Sequence, residues 1–184
     1  MTVTEMALYE RLAGLLDHPR EDIKLKTDEC IKVLAQFPQY TAEVGDEMRR
    51  FQKDIEEMPL DDLQGVYSYT FELSADFSLD MGYHLYDGFK RANNLSLIKS
   101  MYRDNGFPFD EIAKGELPDH LPIVLRFMGF SKDAALIKSF REDFVIKAME
   151  KLHKNFDKTT RNPYRHLIGA IYRIIDKDVK EEVK

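Results

Sequence analysis

Tryptophan is absent from this 184-residue chain, and cysteine occurs once, at Cys30. A single cysteine excludes an internal disulfide framework and any multi-cysteine metal site. Cys30 falls within a helical pattern expected over Lys24 to Phe37, which suits a small buried hydrophobe better than a reactive thiol. Glycine is sparse and scattered, nine residues in all, and none forms a phosphate-cradling loop or a dinucleotide fingerprint. The Gly-x-Ser-x-Gly nucleophile elbow does not occur. The histidines are His18, His84, His120, His153 and His166; no two are four apart and no His-Glu-x-x-His is present, so no contiguous metal motif is offered. No apolar run approaches the ~20 residues that cross a bilayer. Met1-Thr2-Val3-Thr4-Glu5 has neither a basic region nor an apolar core, so no signal peptide is expected and the chain reads as cytoplasmic.

What is present describes one globular domain over residues 1–184. Hydrophobic residues make up 43% and charged residues 33% of the chain, and the length suffices to bury a core without covalent staples. The net charge of −6 is unevenly spread. Residues 1–125 hold 13 basic and 24 acidic side chains, giving −11, whereas residues 126–184 hold 14 and 9, giving +5. Twelve acids lie between Glu43 and Asp87 against Arg49, Arg50 and Lys53. Such a surface repels nucleic acid and attracts cationic segments, although a solvated face that only aids solubility would carry the same charges.

Apolar residues recur at helical spacing nearly throughout. Met6, Tyr9, Leu12, Ala13 and Leu16 form one stripe, stopped by Asp17-His18-Pro19. Val44, Met48, Phe51 and Ile55 form another within Tyr40 to Met58, and Leu60, Leu63, Val66, Tyr67, Thr70 and Phe71 a third, with Asp61 and Asp62 in its first turn where acids favour the helix dipole. Gly82 and Gly88 break the pattern, so a short helix is expected near Leu79 to Tyr86, then a loop, with helix again from Asn94 to Arg103. A turn is expected around Phe109 to Ala113, a helix from Asp119 to Phe130, a long helix capped by Ser131 and reaching Phe156, and a last helix from Asn162-Pro163 to about Asp176, followed by a frayed charged tail over residues 175–184. No alternating strands, repeats or linkers occur. The fold class is therefore all-α, a single-domain helical bundle with mixed crossing angles.

Gly115-Glu116-Leu117-Pro118-Asp119-His120-Leu121-Pro122 is the most distinctive segment. Its prolines restrict the backbone. Asp119 is placed to cap the following helix, and Pro122 falls in that helix's first turn, where a missing N–H costs little. Adjacent on a helix, Asp119 and His120 would point about 100° apart, so they are not a ready-made catalytic dyad. The structural alternative is a capping Asp119 with His120 bonded to a nearby carbonyl. Tyr67, Tyr69, Phe71, Phe77, Tyr83 and Tyr86 form a dense aromatic set interleaved with Glu72, Asp76 and Asp80. Phe71 reads as core, while tyrosines among acids suit a groove that takes an amphipathic cationic helix.

The same segment resembles the Glu-x-Pro-Asp-His element of the NarJ/TorD family of redox-enzyme maturation chaperones, nearest to the nitrate reductase delta subunit branch. Tyr69-Thr70-Phe71-Glu72-Leu73, Ser78-Leu79, His84-Leu85-Tyr86 and the run from Leu97 to Phe107 support the likeness, which covers roughly residues 67–130. The lack of tryptophan departs from relatives that line their groove with it. The resemblance implies a chaperone rather than an enzyme, without a cofactor of its own. It implies binding to the N-terminal peptide of a molybdopterin oxidoreductase catalytic subunit, held until cofactor insertion. Peptide contacts are implied at Glu116, Pro118, Asp119 and His120, and the aromatic set adds Tyr69, Glu72, Tyr83 and Tyr86. A monomer, or a dimer swapped about a hinge at residues 106–115, is expected. The competing reading is an α-helical metal-dependent enzyme using His84, His120 and nearby acids. Arg161, Arg165, Arg173, Lys154 and Lys158 give a basic C-terminal face that reads as polar helix surface, or as a contact for an acidic patch of the partner.

Overall fold

A computed structural model describes residues 3–40 and 42–182; Thr41 and the termini beyond these limits, and the side chains of Val3, Thr4, Glu5, Met6 and Glu182, lie outside the described set. Ten α-helices follow in order: α1 (Val3–Leu15), α2 (Ile23–Leu34), α3 (Ala42–Glu56), α4 (Leu60–Tyr67), α5 (Gly88–Asp104), α6 (Phe109–Ile112), α7 (Leu121–Phe130), α8 (Ala134–Phe140), α9 (Ile146–Asn155) and α10 (Tyr164–Glu182). Among the described residues there is no strand, only an isolated antiparallel bridge between Asp80 and His120. The all-α expectation therefore stands.

The heart of the bundle follows from the apolar stripes. Tyr9, Leu12, Ala13 and Leu16 are all buried, as are Val44, Met48, Phe51 and Ile55 on α3. Helix α7 is buried nearly all round, Arg126 and Phe130 excepted, which marks it as the central helix. It packs against α1, which also contacts α2; α3 lies between α2 and α10, and α10 also packs on α9. Cys30 is buried, and burial pushes its thiol up to about 12, so it remains protonated.

Several boundaries differ from the sequence expectation. Residues 134–155 form one continuous helical rod, α8 joined to α9 by the wide turn Arg141–Val145, but its cap is Asp133, whose carboxylate accepts from the Leu136 N–H at 3.0 Å; the Ser131 hydroxyl accepts only from the Asp133 N–H. Asp119 is not the cap of α7. That position belongs to His120, which makes no side-chain cap bond, and Pro122 does sit in the first turn. Leu79 to Tyr86 contains only a single 3-10 turn, Met81–His84. Gly88 does not stop a helix. It begins α5 at φ +48°, so the loop expected up to Asn93 is helical.

The tail is also corrected. Helix α10 continues to Glu182, because Asp178 accepts from the Tyr9 hydroxyl at 2.5 Å and from the Tyr40 hydroxyl at 2.9 Å. Periodicity cannot show this bond between the two ends of the chain. Ending the chain after Lys177 should lower the unfolding free energy by ~1–3 kcal/mol, since two phenol donors lose their acceptor; urea denaturation reads the loss, and an unchanged midpoint would contradict the role given to Asp178.

Candidate functional site

The site is built where two non-helical segments cross. The Met81 N–H donates to the Asp119 carbonyl at 2.9 Å and the Leu121 N–H to the Leu79 carbonyl at 2.8 Å, which pairs Asp80 with His120. Pro118 ends the preceding loop, and its carbonyl accepts from the buried Tyr102 hydroxyl at 2.8 Å. This proline-braced corner is thus tied on one side to α5 and on the other to the 3-10 turn.

Asp119 lies at the centre and is fully buried. Its Oδ2 accepts from the Gly82 N–H at 2.9 Å and lies 3.8 Å from the Arg91 guanidinium. Gly82 is required for that approach: a Cβ there would stand 2.7 Å from Asp119 Oδ2 and 3.2 Å from Asn94 Oδ1. Burial, and then the neighbouring Asp80 charge, raise the Asp119 carboxyl above its ordinary value, against the Gly82 hydrogen bond and Arg91. Asp80 has the opposite sign. Burial alone would raise it, but the His120 hydrogen bond and charge, together with Arg91, hold it below the ordinary carboxylate value.

His120 is half-buried, and its Nδ1 lies 3.1 Å from Asp80 Oδ1 and 3.7 Å from Glu116 Oε2. With carboxylates on that side, Nδ1 is the nitrogen that donates. The expectation that His120 bonds a carbonyl is therefore corrected: its partner is a carboxylate 40 residues away. His84 does not join it, because its Nε2 donates to the Ser78 carbonyl at 2.8 Å, and burial first, with Lys151, lowers its affinity for a second proton. Asp80, Glu116 and His120 offer ligand atoms within 4.8 Å of one another, a set that could hold a cation. The Arg91 guanidinium, 3.2 Å from Asp80, already compensates one of the carboxylates.

His120 and Glu116 also face a cleft of about 590 Å³, whose lining includes Tyr67, Glu72, Glu111, Pro122 and Arg126. Helix α4 runs on into the wide turn Ser68–Glu72, which turns Thr70 and Phe71 inward and Glu72 outward; Phe71 is core, packed edge-on to Tyr67 and Tyr164. Arg126 grips Asp17 with two hydrogen bonds, 3.1 and 2.6 Å, so its charge is spent within the fold. Among the described residues Glu72 and Glu111 make no ion pair, and Glu116 meets only His120.

Three of the sequence-nominated residues, Glu72, Glu116 and His120, thus line one cleft, with Pro118 and Asp119 buried behind it. Tyr69, Tyr83 and Tyr86 do not line it, although Tyr67 does. Tyr69 is 74% exposed, Tyr83 lies under the Arg91 guanidinium at 5.7 Å, and Tyr86 stacks on Phe144. The sequence marks Asp80 only as one acid among several and gives no direct sign of Gly82, Arg91 or Tyr102 as members of the site. Their one available signal was negative: a glycine that interrupts a helical pattern without a turn partner.

The fold and site define a helical bundle with a proline-braced cleft lined by charges of both signs. The family described as nitrate reductase delta subunit matches residues 34–164, well over half of the chain. The chain belongs to that family, one of maturation chaperones for nitrate reductase. No curated protein matches it. No helix among the described residues is long and apolar enough to cross a membrane.

Gly82→Ala should cost ~1–3 kcal/mol of stability, because the added methyl must displace a buried carboxylate; a change below a few tenths by urea denaturation would show that the Asp119 contact is not tight. The two carboxylates also titrate stability in opposite directions. The lowered Asp80 value contributes stability that is complete above the ordinary carboxylate range and is lost as pH falls through its folded value. The raised Asp119 value disfavours the fold at neutral pH and relaxes as pH falls through it. Asp80→Asn should therefore remove part of the acid-side stability loss, measured by unfolding from neutral pH down to about pH 2, well below the ordinary Asp value of about 4; an unaltered profile would contradict the assignment.

Proposed function

We propose that this chain is a cytoplasmic assembly chaperone that holds the N-terminal segment of a nitrate-reductase-type catalytic subunit until its molybdenum cofactor is inserted. The observation that carries this reading is the cleft. Among the described residues Glu72 and Glu111 reach it without an ion pair and Glu116 meets only His120, which Asp80 holds; Arg20, Lys26, Lys114 and Arg126 line it as well, Lys26 paired with Asp22 and Arg126 with Asp17. A guest segment with lysine or arginine on one side and apolar residues on the other would pair with Glu72 and Glu111, while Tyr67, Pro122 and Ile123 give it an apolar floor. Preorganised carboxylates at the rim confer selectivity and encounter rate more than affinity. Apolar anchors supply most of the binding energy. The outcome is a hold that can be released.

Asp119 has a positioning role in this scheme. Fully buried, it fixes the turn that carries Asp80, and through Asp80 it fixes His120. Isothermal titration of the synthetic N-terminal peptide of the catalytic subunit tests the proposal. Glu72→Gln combined with Glu116→Gln should weaken binding by about 3–10-fold, as expected for two rim charges, and His120→Ala should weaken it further. Equal affinity across wild type and all three substitutions would remove the cleft from the binding surface.

A further inference from the structure

Helix α5 is seventeen residues long yet buries only Ile98 and Tyr102. Its opposite face carries Phe89, Asn93, Ser96, Leu97, Ser100 and Asp104, with Phe89 81% and Leu97 70% exposed. At 100° per residue these six fall on one side of the helix. A phenylalanine so exposed at the first turn of a helix adds nothing to the fold of a single chain. Beside the other end of the same face is a hollow of about 550 Å³, with Ser96, Ser100, Phe107 and Phe109 in its lining and charged residues, among them Arg103 and the Lys99–Asp110 ion pair, around them. Knob and hollow thus occupy opposite ends of one helix.

Self-complementarity of this kind is what a two-fold axis requires, since each patch must meet its counterpart reciprocally. With the axis beside Ser96, Phe89 lies seven residues before it and Arg103 seven after, about 10 Å along the helix in each direction. Two antiparallel α5 helices then place Phe89 of each copy over the hollow of the other. The charges agree with that direction. Asp87 and Lys90 mark the N-terminal end, and Arg103 and Asp104 the C-terminal end. About that axis Lys90 falls opposite Tyr102, two residues from Asp104 and on the same flank, and antiparallel pairing aligns the helix dipoles favourably. A parallel pair would set Lys90 against Lys90. The small Ser96 and Ser100 near the axis allow the helices to approach closely.

We infer that α5 is a homodimerisation face, occupied by the antiparallel α5 of a second copy with Phe89 inserted reciprocally, and with no element exchanged between the copies. The contact is small, which makes the dimer weak and reversible. Glu111 lines both the hollow and the cleft, but Phe89, Ser96 and Leu97 do not line the cleft, so substitutions there test the dimer separately from the proposed peptide site.

Sedimentation equilibrium of the full chain, from low micromolar to near-millimolar concentration, is the test. The expected result is a reversible monomer–dimer equilibrium that weakens with salt. Phe89→Asp should raise its dissociation constant by about tenfold or more, because each dimer loses two buried phenyl rings, with the helical circular dichroism unchanged. Ser96→Cys should form a disulfide-linked dimer on mild oxidation, while the wild type, whose Cys30 is buried, should not. A monomer at every concentration overturns the inference. So does a dimer indifferent to Phe89→Asp, or one that fails to dissociate on dilution, the mark of exchanged elements.

Discussion

One buried carboxylate organises the functional end of this molecule. Asp119 holds the Met81–His84 turn through the Gly82 N–H, stands near Arg91, and continues into the backbone bridge that sets Asp80 opposite His120. An ionised carboxylate without exposure is costly unless it is hydrogen-bonded and near a cation. Here a single backbone donor and one guanidinium at 3.8 Å meet that need only partly, and the carboxyl is correspondingly raised above its ordinary value. A partly compensated group at the centre of a site specifies one arrangement of the surrounding backbone, because every alternative would leave the charge worse solvated.

Most charges around the site have partners within the fold. Asp80 and Glu116 face the Nδ1 side of His120, Arg91 and Arg126 are engaged by carboxylates, and Glu72 and Glu111, without ion pairs among the described residues, line the cleft together with Arg20 and Lys114. Family membership places these residues in a nitrate reductase maturation chaperone. The aromatic residues divide into two roles. Tyr67 and Phe71 close the core against Tyr164, whereas Tyr69 and Tyr83 remain at the surface outside the cleft.

Much of the fold was legible because burial follows periodicity. The stripes on α1, α3 and α4 predicted which side chains go inward, and Phe71 and Cys30 lie in the core as their patterns implied. The errors share a cause. Local propensity makes Gly88 a breaker, but a glycine at positive φ can start a helix as readily as end one. The charged end of α10 lacked a local reason to stay helical, and its reason is distant: Tyr9 and Tyr40 donate to Asp178. Asp119 matched a cap by position, yet its carboxylate turned away to a backbone N–H 37 residues earlier.

By itself the sequence determined the class: an all-α single chain, acidic in its first two-thirds, with a rigid proline-bounded Asp119–His120 pair, because composition and helical spacing are properties of neighbours along the chain. Tertiary structure alone decided that Asp119 supports the site from beneath while Glu72, Glu116 and His120 face outward together. It also chose Asp80 as the partner of His120 and left one face of α5 uncovered. Those facts depend on which distant segments cross, and spacing along a chain carries no information about a hydrogen bond between residues forty positions apart.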